Sequence, residues 1–168
     1  MREGDPVLLT GPQGKRFVLP ERTEEHDYLF LATGTGIAPF RGMIMELLTG
    51  PNGPTQRRID LIMGTPYTSD LLYDELFLEL AAQHPNFRYY TAISREADRL
   101  YVAGVLKRRI DEFAPLLSQP STLIYVCGLA GMESGLFDVL DEHGLADGYL
   151  RAAGKQRKPT GRCMLEVY

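Results

Sequence analysis

From residue 27 onward the chain alternates between two kinds of apolar pattern. Short, nearly unbroken apolar runs read as strands: "DYLFLA" (27–32), "RIDLIMG" (58–64), "NFRYYTAI" (86–93), "TLIYVCG" (122–128) and "RCMLEVY" (162–168). The run 122–128 is apolar at almost every position, as a strand buried on both faces must be. Between these runs, apolar residues recur every three or four positions in "APFRGMIMELL" (38–48), "SDLLYDELFLELAAQ" (69–83), "YVAGVLKRRIDEFAPLL" (101–117) and "AGMESGLFDVLDEHG" (130–144). That spacing predicts helices. Ser69 or Asp70 can cap the second of them, and Gly144 can close the fourth. "ADGYLRAAGKQ" (146–156) is read as a further helix.

Strands alternating with helices imply βαβ units, a parallel sheet and helices on both of its faces. A ligand site is then expected at the carboxyl ends of the strands. The glycines fall there, after the first, second and fourth strands. In the last strand side chains alternate, which puts Met164, Glu166 and Tyr168 on one face and Cys163, Leu165 and Val167 on the other. Residues 1–20 break the alternation. "GDPVLLTGPQGKRFVLP" reads as two strands joined by a Gly/Pro turn, the tail of a preceding β-domain. Residues 21–168 are the α/β domain.

Composition narrows the classes. The 168 residues make about one domain, with 44% hydrophobic and 24% charged residues. A net charge of −4 argues against a nucleic-acid partner. Basic clusters at Arg57-Arg58, Lys107-Arg108-Arg109 and Lys155 to Arg162 read as solvated faces. No apolar run approaches the ~18 residues of a membrane span. No signal peptide opens the chain. Cys127 and Cys163 have neither CxxC nor Cys/His metal spacing and read as buried, reduced thiols of a cytoplasmic protein. His26, His84 and His143 share no pattern, and no metal site is expected.

The strongest local signal is "LATGTGIAPFR" (31–41). A strand delivers the chain into Thr33-Gly34-Thr35-Gly36, and a helix begins near Ala38. Glycines let backbone N–H groups approach a phosphate, the helix N-terminus adds partial positive charge, and Pro39 fits a first turn that needs no N–H. The pattern is a pyrophosphate cradle. It is neither a P-loop nor the usual GxGxxG, since Pro39 stands at the third glycine. "AISRE" (92–96) brings Ser94 and Arg95 to the end of the third strand, where a planar fork of donors suits a phosphate monoester. A surface pair of Arg95 with Glu96 is the competing reading. "YVCGLAGME" (125–133) places Cys127 at the mouth of the crevice, followed by Gly128 and Gly131. Composition alone would make Cys127 core.

With these motifs in order, the sequence resembles the C-terminal NADP-binding domain of plant-type ferredoxin–NADP reductases. "GTGIAPFR", "GTPYTSDLLYDELF", "AISRE", "YVCGLAGME" and the terminal "EVY" stand at family spacing, from "GPQGK" to the end. The resemblance implies a five-stranded parallel Rossmann-like sheet and, upstream, an FAD-binding β-barrel of which residues 1–20 are the last hairpin. It implies that Thr33, Gly34, Thr35, Gly36 and Pro39 receive the NADP pyrophosphate, and that Ser94, Arg95 and Tyr101 hold the 2′-phosphate and adenine. Thr65, Pro66, Gly128 and Leu129 would line the path to the nicotinamide. Cys127 would sit beside the nicotinamide C4, Glu166 would join a proton network at the flavin, and Tyr168 would cover the isoalloxazine ring. The parent would be a flavin-dependent oxidoreductase passing electrons between NADPH, FAD and a free ferredoxin or a fused iron–sulfur domain, as in reductase components of oxygenases such as benzoyl-CoA oxygenase. Two departures stand out. Ala103 occupies a position where the family often has Gln, and the flavin-binding motifs of the barrel are missing. The chain by itself is expected to hold FAD poorly and to be inactive. The alternative class is a stand-alone nucleotide-binding module without catalysis of its own.

Overall fold

The structure, a computed structural model, describes residues 6, 8, 17–51, 54–154 and 156–168. Five parallel strands build one sheet in the order β3-β2-β1-β4-β7: β1 (Tyr28–Thr33), β2 (Ile59–Thr65), β3 (Phe87–Ile93), β4 (Leu123–Gly128) and β7 (Cys163–Val167). The register sets Tyr28 opposite Ile59 on one side and Leu123 on the other. Strand order reverses between β1 and β4, so their carboxyl ends open a crevice. Every residue of β2 and of β4 is buried, as their apolar sequences require.

Helices cover both faces. α1 (Ile37–Thr49) and α2 (Asp74–Gln83) pack with Phe30, Phe40, Leu61 and Phe77 into one apolar layer. α3 (Val102–Arg108), α4 (Ile110–Leu117) and α5 (Met132–Glu142) bury Val105, Phe113, Val126 and Leu140 on the other. The predicted alternation in the last strand is present: Cys163, Leu165 and Val167 join the second layer and Met164 the first.

The predicted helices at 69–83 and 101–117 come out shorter. Tyr73 takes a left-handed conformation (φ 60°), so α2 starts only at Asp74, and neither Ser69 nor Asp70 caps it. Thr68–Asp70 form a separate 3-10 turn. The second segment breaks at Arg109 (φ −113°, ψ 28°), whose guanidinium lies 4.7 Å over the Tyr90 ring and pairs with Glu112. Gly144 does close α5. At φ +66° it donates to the Asp141 carbonyl, while Leu145 donates to Leu140 at 2.8 Å. This pair of bonds is a Schellman closure.

The helix expected over 146–156 is not formed. The segment builds a two-stranded antiparallel hairpin, β5 (Leu150–Ala153) with β6 (Gln156–Pro159). Two glycines lie in the left-handed region, Gly148 at φ +90° and Gly154 at φ +65°. A helix through them would forfeit backbone entropy twice. The hairpin predicted over 1–20 falls mostly outside the described residues. Within Phe17–Pro20 no strand forms. Phe17 packs edge-on to Tyr125 (5.5 Å, 85°), whose hydroxyl donates to the Val18 carbonyl at 2.8 Å.

Candidate functional site

The glycine turn leaves β1 at the point where strand order reverses. Gly34–Gly36 make one 3-10 turn that runs directly into α1. Gly34 adopts φ +53° with open space around its α-carbon, so the backbone there can be approached closely. Gly36 serves packing instead: a Cβ would stand 2.2 Å from the Cys127 carbonyl oxygen. The first-turn N–H groups of α1 have no partner within the helix. Pro39 lies in that turn, where its missing N–H costs nothing.

Thr33 ties this turn to the end of β4. Its hydroxyl donates to Met132 Sδ (3.4 Å) and accepts the Leu129 N–H (2.8 Å). Gly128 is forced by the same contact, since at φ +142° a Cβ would meet Thr33 Oγ1. Leu129 is left exposed at the rim. The chain's last residue crosses the same mouth. Tyr168 donates its N–H to Gly128 (3.0 Å) and accepts the Ala130 N–H (2.9 Å), and its phenol meets Thr35 Oγ1 at 2.6 Å. The ring is 60% exposed and still fixed at both ends.

Cys127 pairs in register with Glu166 across β4 and β7. Burial first, then the Glu166 carboxylate, push the Cys127 thiol above its ordinary value. The thiol is therefore protonated near neutral pH. It can position a ring but is a poor nucleophile.

A second cluster stands at the ends of β2 and β3. Ser94 N–H donates to the Thr65 carbonyl and Arg95 N–H to the Pro66 carbonyl, each at 2.9 Å, extending the strand pairing past the sheet. The Ser94 hydroxyl points at the Thr65 carbonyl (3.3 Å). Arg95 is exposed and joins no ion pair among the described residues. Lys107, by contrast, is committed to Glu142 at 2.6 Å. Tyr101 precedes α3 and is 69% exposed. The sequence-predicted residues thus form two groups: Thr33 to Pro39 with Cys127, Gly128, Leu129, Glu166 and Tyr168 around the β1/β4 mouth, and Thr65, Pro66, Ser94, Arg95 and Tyr101 along the β2/β3 end.

Arg99, four residues on from Arg95, adopts φ +37° and also joins no ion pair among the described residues. Two contacts escape sequence reasoning. The Thr35–Tyr168 bond joins residues with no sequence relation. Glu96 accepts both the N–H (2.7 Å) and the hydroxyl (2.9 Å) of Thr68.

Residues 30–137 match the family described as "Oxidoreductase NAD-binding domain". The chain is 40% identical over 137 residues to "Ferredoxin--NADP reductase" of Picosynechococcus sp., covering 77% of this chain and 34% of the relative. It is 34% identical over 177 residues to the cyanelle "Ferredoxin--NADP reductase" of Cyanophora paradoxa, covering the whole chain and 48% of that protein. The chain thus spans about a third to a half of the length of these relatives. The fold is shared with "Ferredoxin-NADP+ reductase from Plasmodium falciparum" (TM-score 0.73, 23% identity, 92% of this chain and 59% of that one). It is shared equally with the same protein "with 2'P-AMP" (TM-score 0.71, 21% identity, 92% and 58%). The order of the strands, the glycine turn at their reversal and these matches agree: the chain belongs to the oxidoreductase NAD-binding domain family and is similar to part of the ferredoxin–NADP reductases named above.

Proposed function

We propose that the chain binds NADP(H) along the carboxyl edge of its sheet and presents the nicotinamide to FAD carried by a preceding domain of a longer, cytoplasmic protein. Residues 1–20 are read as the end of that domain. The electron acceptor or donor beyond the flavin is an iron–sulfur partner, a ferredoxin or a fused domain. The reading rests on the glycine turn Gly34–Gly36 at the reversal of strand order, with open space at Gly34 and a helix N-terminus behind it. These residues suit a pyrophosphate.

In this reading Thr33 to Pro39 hold the pyrophosphate through backbone N–H groups. Ser94 and Arg95 hold the 2′-phosphate, and Tyr101 offers a face to the adenine. Arg99, which like Arg95 joins no ion pair among the described residues, offers a second cation at that end. Thr65, Pro66, Gly128 and Leu129 shape the channel toward the β1/β4 mouth. Cys127, protonated and small, sets the position of a planar ring without attacking it. Glu166 holds a proton path beside it, and Tyr168 shields the mouth from water. The flavin, when bound, supplies the conversion between hydride and single electrons.

Calorimetry with 2′,5′-ADP tests the reading. Hydrogen bonds to a charged group contribute about 1.5–3 kcal/mol, so Arg95→Ala should weaken binding by about one to two decades. Unchanged affinity in Arg95→Ala would remove the 2′-phosphate from this edge.

A further inference from the structure

We propose that Glu96 and Thr68 together set the availability of Arg95, making Glu96 a specificity-determining residue that the sequence shows only as part of a charged pair. This rests on the reading that Arg95 holds the 2′-phosphate. Arg95 and Glu96 are adjacent, and a carboxylate so placed is the natural competitor for a guanidinium. The structure does not pair them. Both Glu96 oxygens are taken by Thr68, Oε1 by its N–H at 2.7 Å and Oε2 by its hydroxyl at 2.9 Å. Arg95 is left without an ion pair among the described residues. The backbone explains why the carboxylate can turn away. Arg95 N–H is anchored on Pro66 (2.9 Å) and Arg99 N–H on the Glu96 carbonyl (3.1 Å), so the loop after β3 folds against the loop after β2 with Thr68 directly across from Glu96.

The clasp has an electrostatic consequence. An incoming phosphate monoester meets a free guanidinium rather than one already neutralised. Freed from Thr68, Glu96 can compete with the phosphate for Arg95. Both carboxylate and guanidinium are exposed. The competition is then of the size of a surface ion pair, about 0–1 kcal/mol, or up to about fivefold in affinity.

The test uses the chain as it is, with 2′,5′-ADP as the probe and 5′-ADP as the control lacking the 2′-phosphate. Thr68→Val should weaken 2′,5′-ADP by about two- to fivefold and leave 5′-ADP unchanged. Thr68→Ser, which keeps the hydroxyl, should bind as the parent does. Glu96→Gln preserves the shape and both hydrogen bonds, because its amide can donate to the Thr68 hydroxyl and accept the Thr68 N–H. Because the clasp already holds the carboxylate off Arg95, this variant should leave 2′,5′-ADP within about twofold of the parent. The double variant Thr68→Val with Glu96→Gln should recover the parent affinity, since no carboxylate is left to compete, and the loss in Thr68→Val should shrink in 1 M salt, where screening reaches about 3 Å. A gain well beyond twofold in Glu96→Gln would mean that Glu96 competes already in the parent, and a clasp that merely orders the loops predicts no recovery in the double variant. Either result overturns the proposal. If Thr68→Val does not fold, Thr68→Ala takes its place in the single and the double variant. Arg95→Ala separates the two layers. A loss there without recovery in the double variant refutes the clasp alone, whereas no loss in Arg95→Ala refutes the phosphate reading and the clasp with it.

Discussion

Single residues at the crevice carry two kinds of constraint. Gly36 and Gly128 are glycine because backbone or a side-chain oxygen fills the place of a Cβ. Gly34 is glycine because of its left-handed backbone alone. The sequence motif announced all three without distinguishing these causes, since a repeat of Gly reports only that side chains are missing. Tyr168 shows the opposite limit. Its strand position predicted a ring on the face of Glu166. The bond to Thr35 was illegible, because it joins ends of the chain that only the β1-β4-β7 order brings together. Tyr168→Phe deletes that bond and nothing else. An exposed hydrogen bond contributes about 0.5–1.5 kcal/mol. In the isolated chain the phenylalanine ring should move more freely from the mouth. NADP should then bind about two- to tenfold more tightly, while 2′,5′-ADP, which lacks the nicotinamide end, should be unaffected. Parallel titrations of the two ligands check it. Equal shifts for both would mean that the tyrosine governs the turn rather than the mouth.

At the scale of elements, the five sheet strands and four of the helical regions were legible because burial enforces apolar runs and three-to-four spacing. The breaks inside those regions were not. Val102, Val105 and Leu106 precede the break at Arg109 and Phe113, Leu116 and Leu117 follow it, all buried on one layer. The apolar spacing therefore continues through a bend. The sequence hides the β5–β6 hairpin because Leu150 is its one large apolar residue, which leaves no alternation to reveal a period of two. What holds that region is Arg162, just before β7. Its Nε donates to the Thr122 carbonyl (3.2 Å) and its Nη2 to the Gln119 carbonyl (2.6 Å), and the guanidinium lies 4.3 Å over the Tyr149 ring. Gly148 leaves room for it, since a Cβ there would stand 2.5 Å from Nη1. Arg162→Ala removes two charge-assisted hydrogen bonds and a cation–π contact. A loss of about 2–3 kcal/mol is expected from these terms. A urea melt should show it as a lower midpoint with unchanged slope. A change within about 0.5 kcal/mol would place Arg162 among ordinary surface residues.

The interior holds three tyrosines, Tyr28, Tyr125 and Tyr149, and both cysteines, with Tyr89 and Tyr90 half-buried at its edge. Burial pushes the Cys163 thiol up to about 12 and the Tyr125 phenol up to about 12, and raises Tyr28, Tyr89, Tyr90 and Tyr149 as well. Each group holds its proton more tightly folded than unfolded. The stability this provides is complete below the unfolded values, about 9 for the thiol and 10 for the phenols, and is lost as pH rises through the folded ones. The urea midpoint should hold steady from pH 7 to about 8.5 and then fall continuously toward pH 12. Cys163→Ala should make the fall between about pH 8.5 and 10 shallower without abolishing it, because the Cys127 thiol is raised as well, and a midpoint flat to pH 11 would show these groups to be reached by water.

The strand order that opens the crevice also dictates how the molecule comes together. β1 is paired on both edges: Tyr28 aligns with Ile59, about one helix-and-loop away along the chain, and with Leu123, on the far side of β2, β3 and their helices. Closing the longer loop costs more chain entropy and comes later. Until β4 arrives, the second edge of β1 is a row of unpaired donors and acceptors beside the apolar residues Phe30 and Leu31, the kind of edge that recruits other chains. Pulse-labelled hydrogen exchange during refolding should find amides of β1–β2–β3 protected before those of β4–β7, with simultaneous protection as the contrary result. The strand boundary best suited to receive a ligand in the finished molecule is thus the last seam to close, and the one most exposed to aggregation while it is open.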